Sequence, residues 1–148
     1  MPGNEKNRLV YVVDDEERNL LLVEKALSTA GYNIRKFHDG QEVLDGVREE
    51  IPDIIVLDVM MPRMDGYTVC ETLKKEKTTQ IIPIILVTGL EDMRDKVRGL
   101  EAGADDFITK PFHPMELRAR VKSLLRIKSL TDELEEKNLL LADENLRG

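Results

Sequence analysis

The amino-acid sequence predicts an α/β fold built around a parallel sheet, and three observations carry that expectation. Five short apolar runs of β type alternate with stretches of helical period, the sequence form of repeated strand–helix units. The runs at 54–57 and 82–87 are apolar along their length, as strands covered on both faces are. Polar residues gather where the runs end: Asp14 and Asp15 after the first, Asp58 after the third, Thr88 closing the fourth and Lys110 after the fifth. Open α/β sheets place their sites in the crevice outside the carboxyl ends of the strands, so chemistry is expected there.

The first strand is 9–13, followed by a helix over 16–30 whose apolar positions Leu20, Val23, Leu27 and Ala30 share a face and which stops at Gly31. The run 32–37 alternates weakly and carries Arg35 and Lys36, as suits an edge strand with one wet side. A helix over 41–50 packs through Val43, Leu44 and Val47 and ends before Pro52. The strand 53–58 is central, and a helix over 66–77 follows it with Val69 and Leu73 inward. The strand 82–88, a helix over 91–102 ended by Gly103, and the short strand 106–109 complete the five units. Pro114 opens the last helix, Glu116 adds a favourable charge near its positive end, and Leu117, Val121, Leu124 and Leu125 form its apolar face. Ile127, Leu130, Leu134 and Leu141 extend the helical spacing, interrupted at Lys137, and read equally as a coiled-coil seam or a solvated helix. The division expected is a disordered lead at 1–8, a domain at 9–126 and a helical extension at 127–148.

At 148 residues and 41% hydrophobic content the chain suits one domain with a real core and some length to spare. A formal net charge of -7 argues against direct nucleic-acid binding, because phosphate backbones demand a basic surface. A single cysteine, Cys70, excludes an internal disulfide and fits a reducing compartment. No run reaches the roughly 20 apolar residues of a membrane span. A cytoplasmic protein without membrane contact is expected.

Asp14, Asp15 and Asp58 converge on one sheet edge, where like charges repel unless a cation or a chemical purpose keeps them. Carboxylates, a backbone carbonyl and water suit a hard cation such as Mg²⁺; the chain offers no His pair or Cys cluster for a transition metal, although one of the paired acids can instead cap the helix that follows. Thr88 and Lys110 face the acids. An ammonium, a hydroxyl and a Mg²⁺ site together are what an acyl phosphate on Asp58 needs, and aspartate is a known nucleophile toward phosphoryl groups.

Asp14-Asp15-Glu16, Asp58 with Met61-Pro62 and Asp65-Gly66, Thr88-Gly89, and 103–107 before Lys110-Pro111-Phe112 resemble the receiver domain of bacterial two-component response regulators, over about 8–127. The resemblance implies a flavodoxin-like fold with strand order 2-1-3-4-5. It implies Asp58 as phosphoacceptor, Asp14, Asp15, Asp58 and the Met60 backbone carbonyl as Mg²⁺ ligands, Thr88 and Lys110 as the phosphate-sensing pair, Phe107 as the aromatic switch and a cis peptide before Pro111. A histidine kinase or histidine phosphotransfer protein is the implied donor, and the receiver is a regulator that assists its own phosphorylation and dephosphorylation. The readout is a repacked face of the fourth helix, fifth strand and fifth helix, passed with the C-terminal helix to an effector domain or partner. Lys96, Glu101, Asp106, Glu116 and Arg120 are similar to the charged dimer face of winged-helix regulators, and a homodimer through that face or the C-terminal helix is the associated expectation. Met60 and Leu90 are apolar where the family varies and cannot orient an attacking water, which predicts a long-lived phosphoryl group.

Two other classes fit less well. Aspartyl-phosphate hydrolases of the haloacid-dehalogenase type resemble Asp-x-Asp-x-Thr, but Met60 and Pro62 stand where the second Asp and the Thr belong. A flavin-binding flavodoxin-like module needs a phosphate-cradling loop after the first strand, where this chain has Asp-Asp-Glu-Glu and no Trp anywhere.

Overall fold

The structure, a computed structural model, describes residues 7–89 and 93–147, with side chains described except at 93–94 and 138–147. The elements are β1 (Leu9–Val13), α1 (Glu17–Ser28), β2 (Asn33–Phe37), α2 (Gly40–Glu49), β3 (Ile54–Asp58), α3 (Gly66–Lys75), β4 (Ile84–Thr88), α4 (Met93–Glu101), β5 (Asp106–Thr109) and α5 (Pro114–Arg147). All strands pair in parallel in the order β2-β1-β3-β4-β5, the flavodoxin-like arrangement expected. β2 is an edge strand, as Arg35 and Lys36 predict.

Strand alternation sorts the core into two layers, because successive side chains point to opposite faces. Tyr11, Val13, Ile55, Leu57, Ile84 and Leu86 face α2, α3 and α4, where they meet Val43, Val47, Val69, Leu73 and Ala102. Val10, Val12, Ile54, Val56, Ile85 and Val87 face α1 and α5 and meet Leu20, Val23, Leu27, Leu117, Val121 and Leu125. Burying each such side chain contributes about 1.5–3 kcal/mol, so the three central strands anchor the molecule and hold their carboxyl ends level.

Element ends differ from the expected bounds for local reasons. α1 stops at Ser28 because Ala30 and Gly31 donate to Leu27 and Ser28, three residues back, and Gly31 then turns the chain at φ 83°. β4 begins at Ile84 and not Ile82: Pro83 cannot donate to the ladder, although its carbonyl still accepts from Ile55 N at 3.0 Å. In the expected lead, residues 1–6 lie outside the described residues, while Asn7 N donates to Gly31 O and Arg8 reaches Asp53 at 3.1 Å and the Ser129 hydroxyl. α5 is a single helix of 34 residues whose buried face continues as far as Ser129. Ile127, Leu130 and Leu134 project from it into solvent, and the Leu141 side chain lies outside the described residues.

Candidate functional site

β3 ends in Asp58, whose neighbour across the sheet is Val87, and β1 leads directly into Asp14. The turn after β3 depends on Gly66: a Cβ there would lie 2.4 Å from the Asp58 carbonyl oxygen, so only glycine lets α3 start against the strand end. Asp65 caps α3 by accepting from Thr68 N at 2.9 Å. Neither paired acid caps α1, which begins at Glu17 after the N-cap residue Glu16 with no side-chain cap; Asp14 instead accepts from the Glu16 N–H at 2.9 Å, one residue before the helix.

Asp14, Asp15 and Asp58 each place an oxygen within 4.8 Å of the others, with Asp14 and Asp58 buried and Asp15 exposed. Lys110 approaches from the loop after β5, its Nζ 2.8 Å from Asp58 Oδ1 and 3.5 Å from Asp14 Oδ2. Its loop is held by Lys110 N donating to Thr88 O at 2.7 Å, and the Lys110–Pro111 peptide is cis, as expected.

Burial pushes the Asp58 carboxyl up to about 6, with the Asp14 and Asp15 charges adding and Lys110 opposing. Burial also raises Asp14, against the Glu16 N–H and Lys110. For Lys110 burial acts downward, but its hydrogen bond to Asp58 and the charges of Asp58 and Asp14 outweigh it and hold the ammonium above its ordinary value. Among the described residues Lys110 contacts two of the three clustered acids, a donor set of hard oxygens that fits Mg²⁺ by type and charge.

The other expected residues are more dispersed. Thr88 closes β4, is buried, and lies one residue beyond the partner of Asp58. Met60 follows in the turn after β3 with its side chain 63% exposed; Leu90 lies outside the described residues. Phe107 packs partly buried against the layer containing Leu86. On the face of α4, β5 and α5, Arg120 holds both oxygens of Asp106 at 2.9 Å and Glu116 at 3.4 Å within the chain, while Lys96 and Glu101 are exposed.

Beside the acids lies a cavity of about 500 Å³ between α1 and the β5–α5 connection, walled by Val23, Leu22, Phe112 and Pro114 and reached by Asp14, Asp58 and Lys110. These apolar walls escaped the sequence reading, although Leu22 gave a signal: it falls off the buried face formed by Leu20, Val23 and Leu27 and is 56% exposed. No helix among the described residues is long and apolar enough to cross a membrane.

The sequence profile of the response regulator receiver domain matches residues 10–122. The chain belongs to the response regulator receiver family. The receiver is 47% identical over 128 residues to the response regulator PleD of Caulobacter vibrioides, covering 86% of this chain and 28% of that protein. It is 47% identical over 120 residues to the alkaline phosphatase synthesis transcriptional regulatory protein PhoP of Bacillus subtilis, covering 81% of this chain and 49% of that one. Among solved structures it resembles the chemotaxis response regulator CheY4 of Vibrio cholerae, with a TM-score of 0.76 at 28% identity over 80% of this chain and 99% of that one. It also resembles the response regulator DrrB of Thermotoga maritima, with a TM-score of 0.74 at 38% identity over 82% of this chain and 54% of that one. The receiver therefore spans about half or less of the length of these curated relatives. Its role is that of a phosphoacceptor domain in two-component signalling.

Proposed function

We propose that Asp58 is the residue that accepts the phosphoryl group, from the phosphohistidine of a sensor histidine kinase or histidine phosphotransfer protein. The observation that carries this reading is the contact of Asp58 with Lys110 at 2.8 Å inside a ring of two further carboxylates. A carboxyl raised to about 6 is ionised at neutral pH yet more basic than an ordinary aspartate, which suits a nucleophile. The Asp58 oxygen forms its bond to phosphorus as the phosphorus–nitrogen bond to the donor imidazole breaks, and the leaving imidazole takes a proton. Lys110 then exchanges its contact with Asp58 for one with a phosphoryl oxygen, and the Thr88 hydroxyl donates to another. Asp14, Asp15, Asp58 and the Met60 carbonyl would hold Mg²⁺, which when bound supplies the positive charge that offsets the phosphoryl oxygens. Thr88 moving inward gives Phe107 room to turn, shifting the balance between two arrangements of α4, β5 and α5.

The receiver occupies 9–126, and the helix over 127–148 carries the change to an effector domain or partner protein in the cytoplasm. Homodimers through α4-β5-α5 or through the C-terminal helix are the assembly we propose. The Arg120–Asp106–Glu116 contacts then act within each copy, and Lys96 and Glu101 meet the partner. Light scattering with and without an acyl-phosphate donor tests this, an unchanged monomer counting against it.

For the chemistry, acetyl phosphate with Mg²⁺ should add one phosphoryl group to the wild type by intact mass, and Asp58→Asn should take none. Full labelling of Asp58→Asn would move the acceptor to another residue.

A further inference from the structure

Gly99 lies in the last turn of α4, two residues before its end, buried and with an ordinary helical backbone. Its neighbour Gly103 ends the helix at φ 93° and needs glycine for its backbone; Gly99 does not. A glycine inside a helix costs stability against alanine, so its presence asks for a lateral reason. That reason is the Phe107 ring. A Cβ on Gly99 would stand 2.1 Å from Cζ and 2.3 Å from Cε1 of Phe107, and 3.2 Å from Cδ1 of Leu86. The ring sits in a notch in α4 that exists only because residue 99 has no side chain.

The chain uses the same device once more, with a different outcome. A Cβ on Gly46 of α2 would lie 2.5 Å from Cε1 and Cζ of Phe37. The Phe37 ring, however, is also held by Tyr11 at 4.7 Å between ring centroids and by the Arg35 guanidinium 4.9 Å above it, and is buried. Phe107 is only partly buried, and β5 is an edge strand. Its ring lies against Gly99 of α4 with Leu86 close by, so the ring's position and that of α4 are coupled there.

We propose that Gly99 is a positioning residue for the phosphorylation readout: its notch seats the Phe107 ring and ties the ring's position to α4. This rests on the reading that Phe107 responds to a phosphoryl group on Asp58. Filling the notch evicts the ring before any phosphoryl group arrives and severs its response from the acceptor, without touching the acids.

The test uses the full chain with ring-¹³C phenylalanine, the Phe107 resonances being assigned through Phe107→Leu. In the wild type, acetyl phosphate with Mg²⁺ should shift the Phe107 signals. In Gly99→Ala those signals should already be displaced without phosphodonor and respond by less than half the wild-type shift, while intact mass shows phosphorylation of Asp58 within about twofold of wild type, as expected for a substitution outside the acidic site. Gly46→Ala, which fills the other notch, should lower the melting temperature yet leave the Phe107 response whole. Wild-type Phe107 signals and response in Gly99→Ala would overturn the proposal. Should Gly99→Ala fold poorly, thermal melts decide: the substitution should lower Tm in the wild type and raise it in a Phe107→Ala background, and the same sign in both overturns the notch. A wild type that takes no phosphoryl group on Asp58 fails the functional reading instead, recognisably, because ring displacement in unphosphorylated Gly99→Ala is read without any donor.

Discussion

Asp53 and Asp58 stand at opposite ends of β3, five residues apart, and the chain treats the same side chain in opposite ways. Asp53, just before the strand, accepts from Leu9 N at 2.8 Å and pairs with Arg8 at 3.1 Å and Lys128 at 3.9 Å. Asp105 does the same before β5, accepting from Ile84 N at 2.8 Å and pairing with Lys74 at 3.0 Å. Each of these acids finds a backbone N–H and at least one cation. Asp58 finds burial, two like charges and a single lysine, and its carboxyl rises to about 6. The amino ends of the strands are where acids hold the sheet together; the carboxyl ends are where acids are held against their preference, ready for a ligand that supplies positive charge.

The first way to test this contrast is pH. Because the folded Asp58 binds its proton up to about pH 6 while an unfolded aspartate releases it near 4, the folded state holds more protons in that window. Asp58 therefore favours folding most below about pH 4, and that contribution falls as pH rises through 6, by at most about 3 kcal/mol without metal. Asp58→Asn cannot titrate, so in EDTA its stability relative to wild type should grow by up to that amount between pH 4 and 7.5, measured by urea denaturation. A difference that stays flat across the range would mean that Asp58 is not electrostatically strained. Adding Mg²⁺ at pH 7.5 should raise the wild-type Tm and leave that of Asp58→Asn nearly unchanged.

Lys110 is next. It is the cation in contact with both buried acids, and Lys110→Ala should slow phosphorylation by acetyl phosphate roughly 100-fold, about what losing one charge-stabilising donor costs. Stopped-flow or intact-mass time courses read this directly. A wild-type rate would remove Lys110 from the transfer step and leave it an ordinary ion pair.

The contrast between the strand ends was half visible in the residues. The acids after the apolar runs stood out because a carboxylate closing a buried strand has no local use, and the alternation of runs and helices was enough for the α/β class. Asp53 did not stand out, and Asp105 entered only as part of the 103–107 run, with no role of its own: a charge before a strand is common, and their partners Arg8, Lys128 and Lys74 are far along the chain or on other elements. Arg8 reads as part of a polar lead because composition registers its neighbours and not the acid 45 residues away that holds it. The notches at Gly46 and Gly99 are hidden for the same reason, since a glycine in a helical pattern says nothing of the ring lying against it. Gly66 was legible as part of a motif, but its need for close approach to the Asp58 carbonyl came only with the structure.

Asp105→Ala removes the acceptor of Ile84 N and the carboxylate that faces Lys74, which keeps the Gln80 and Ile82 carbonyls, and should destabilise the fold by about 2 kcal/mol. Phosphorylation by acetyl phosphate should stay within twofold of wild type. A loss of rate comparable to that of Lys110→Ala would show that the two edges of the sheet are not independent.

Asp53→Ala should have the smallest effect on stability, about 1 kcal/mol, because Leu9, whose N–H it accepts, is half-buried, whereas Ile84, whose N–H Asp105 accepts, is fully buried. Its consequence should be local. Asp53 is where Arg8 and Lys128 meet, and Arg8 continues the chain of contacts to the hydroxyl of Ser129, the last buried residue of α5 among the described side chains. Around that point Ile127, Leu130 and Leu134 face solvent, and Lys128, which also pairs with Asp132 along the helix, is the other residue of this stretch that pairs with Asp53. Without Asp53, amide exchange over 127–135 should quicken severalfold while exchange in β3 and β4 keeps its wild-type rate. Phosphorylation of Asp58 should be unaffected. Unchanged exchange in that segment would mean that α5 is held by its apolar face alone and that Asp53 anchors only β1, whereas slowed phosphorylation would join the two ends of β3 into one site.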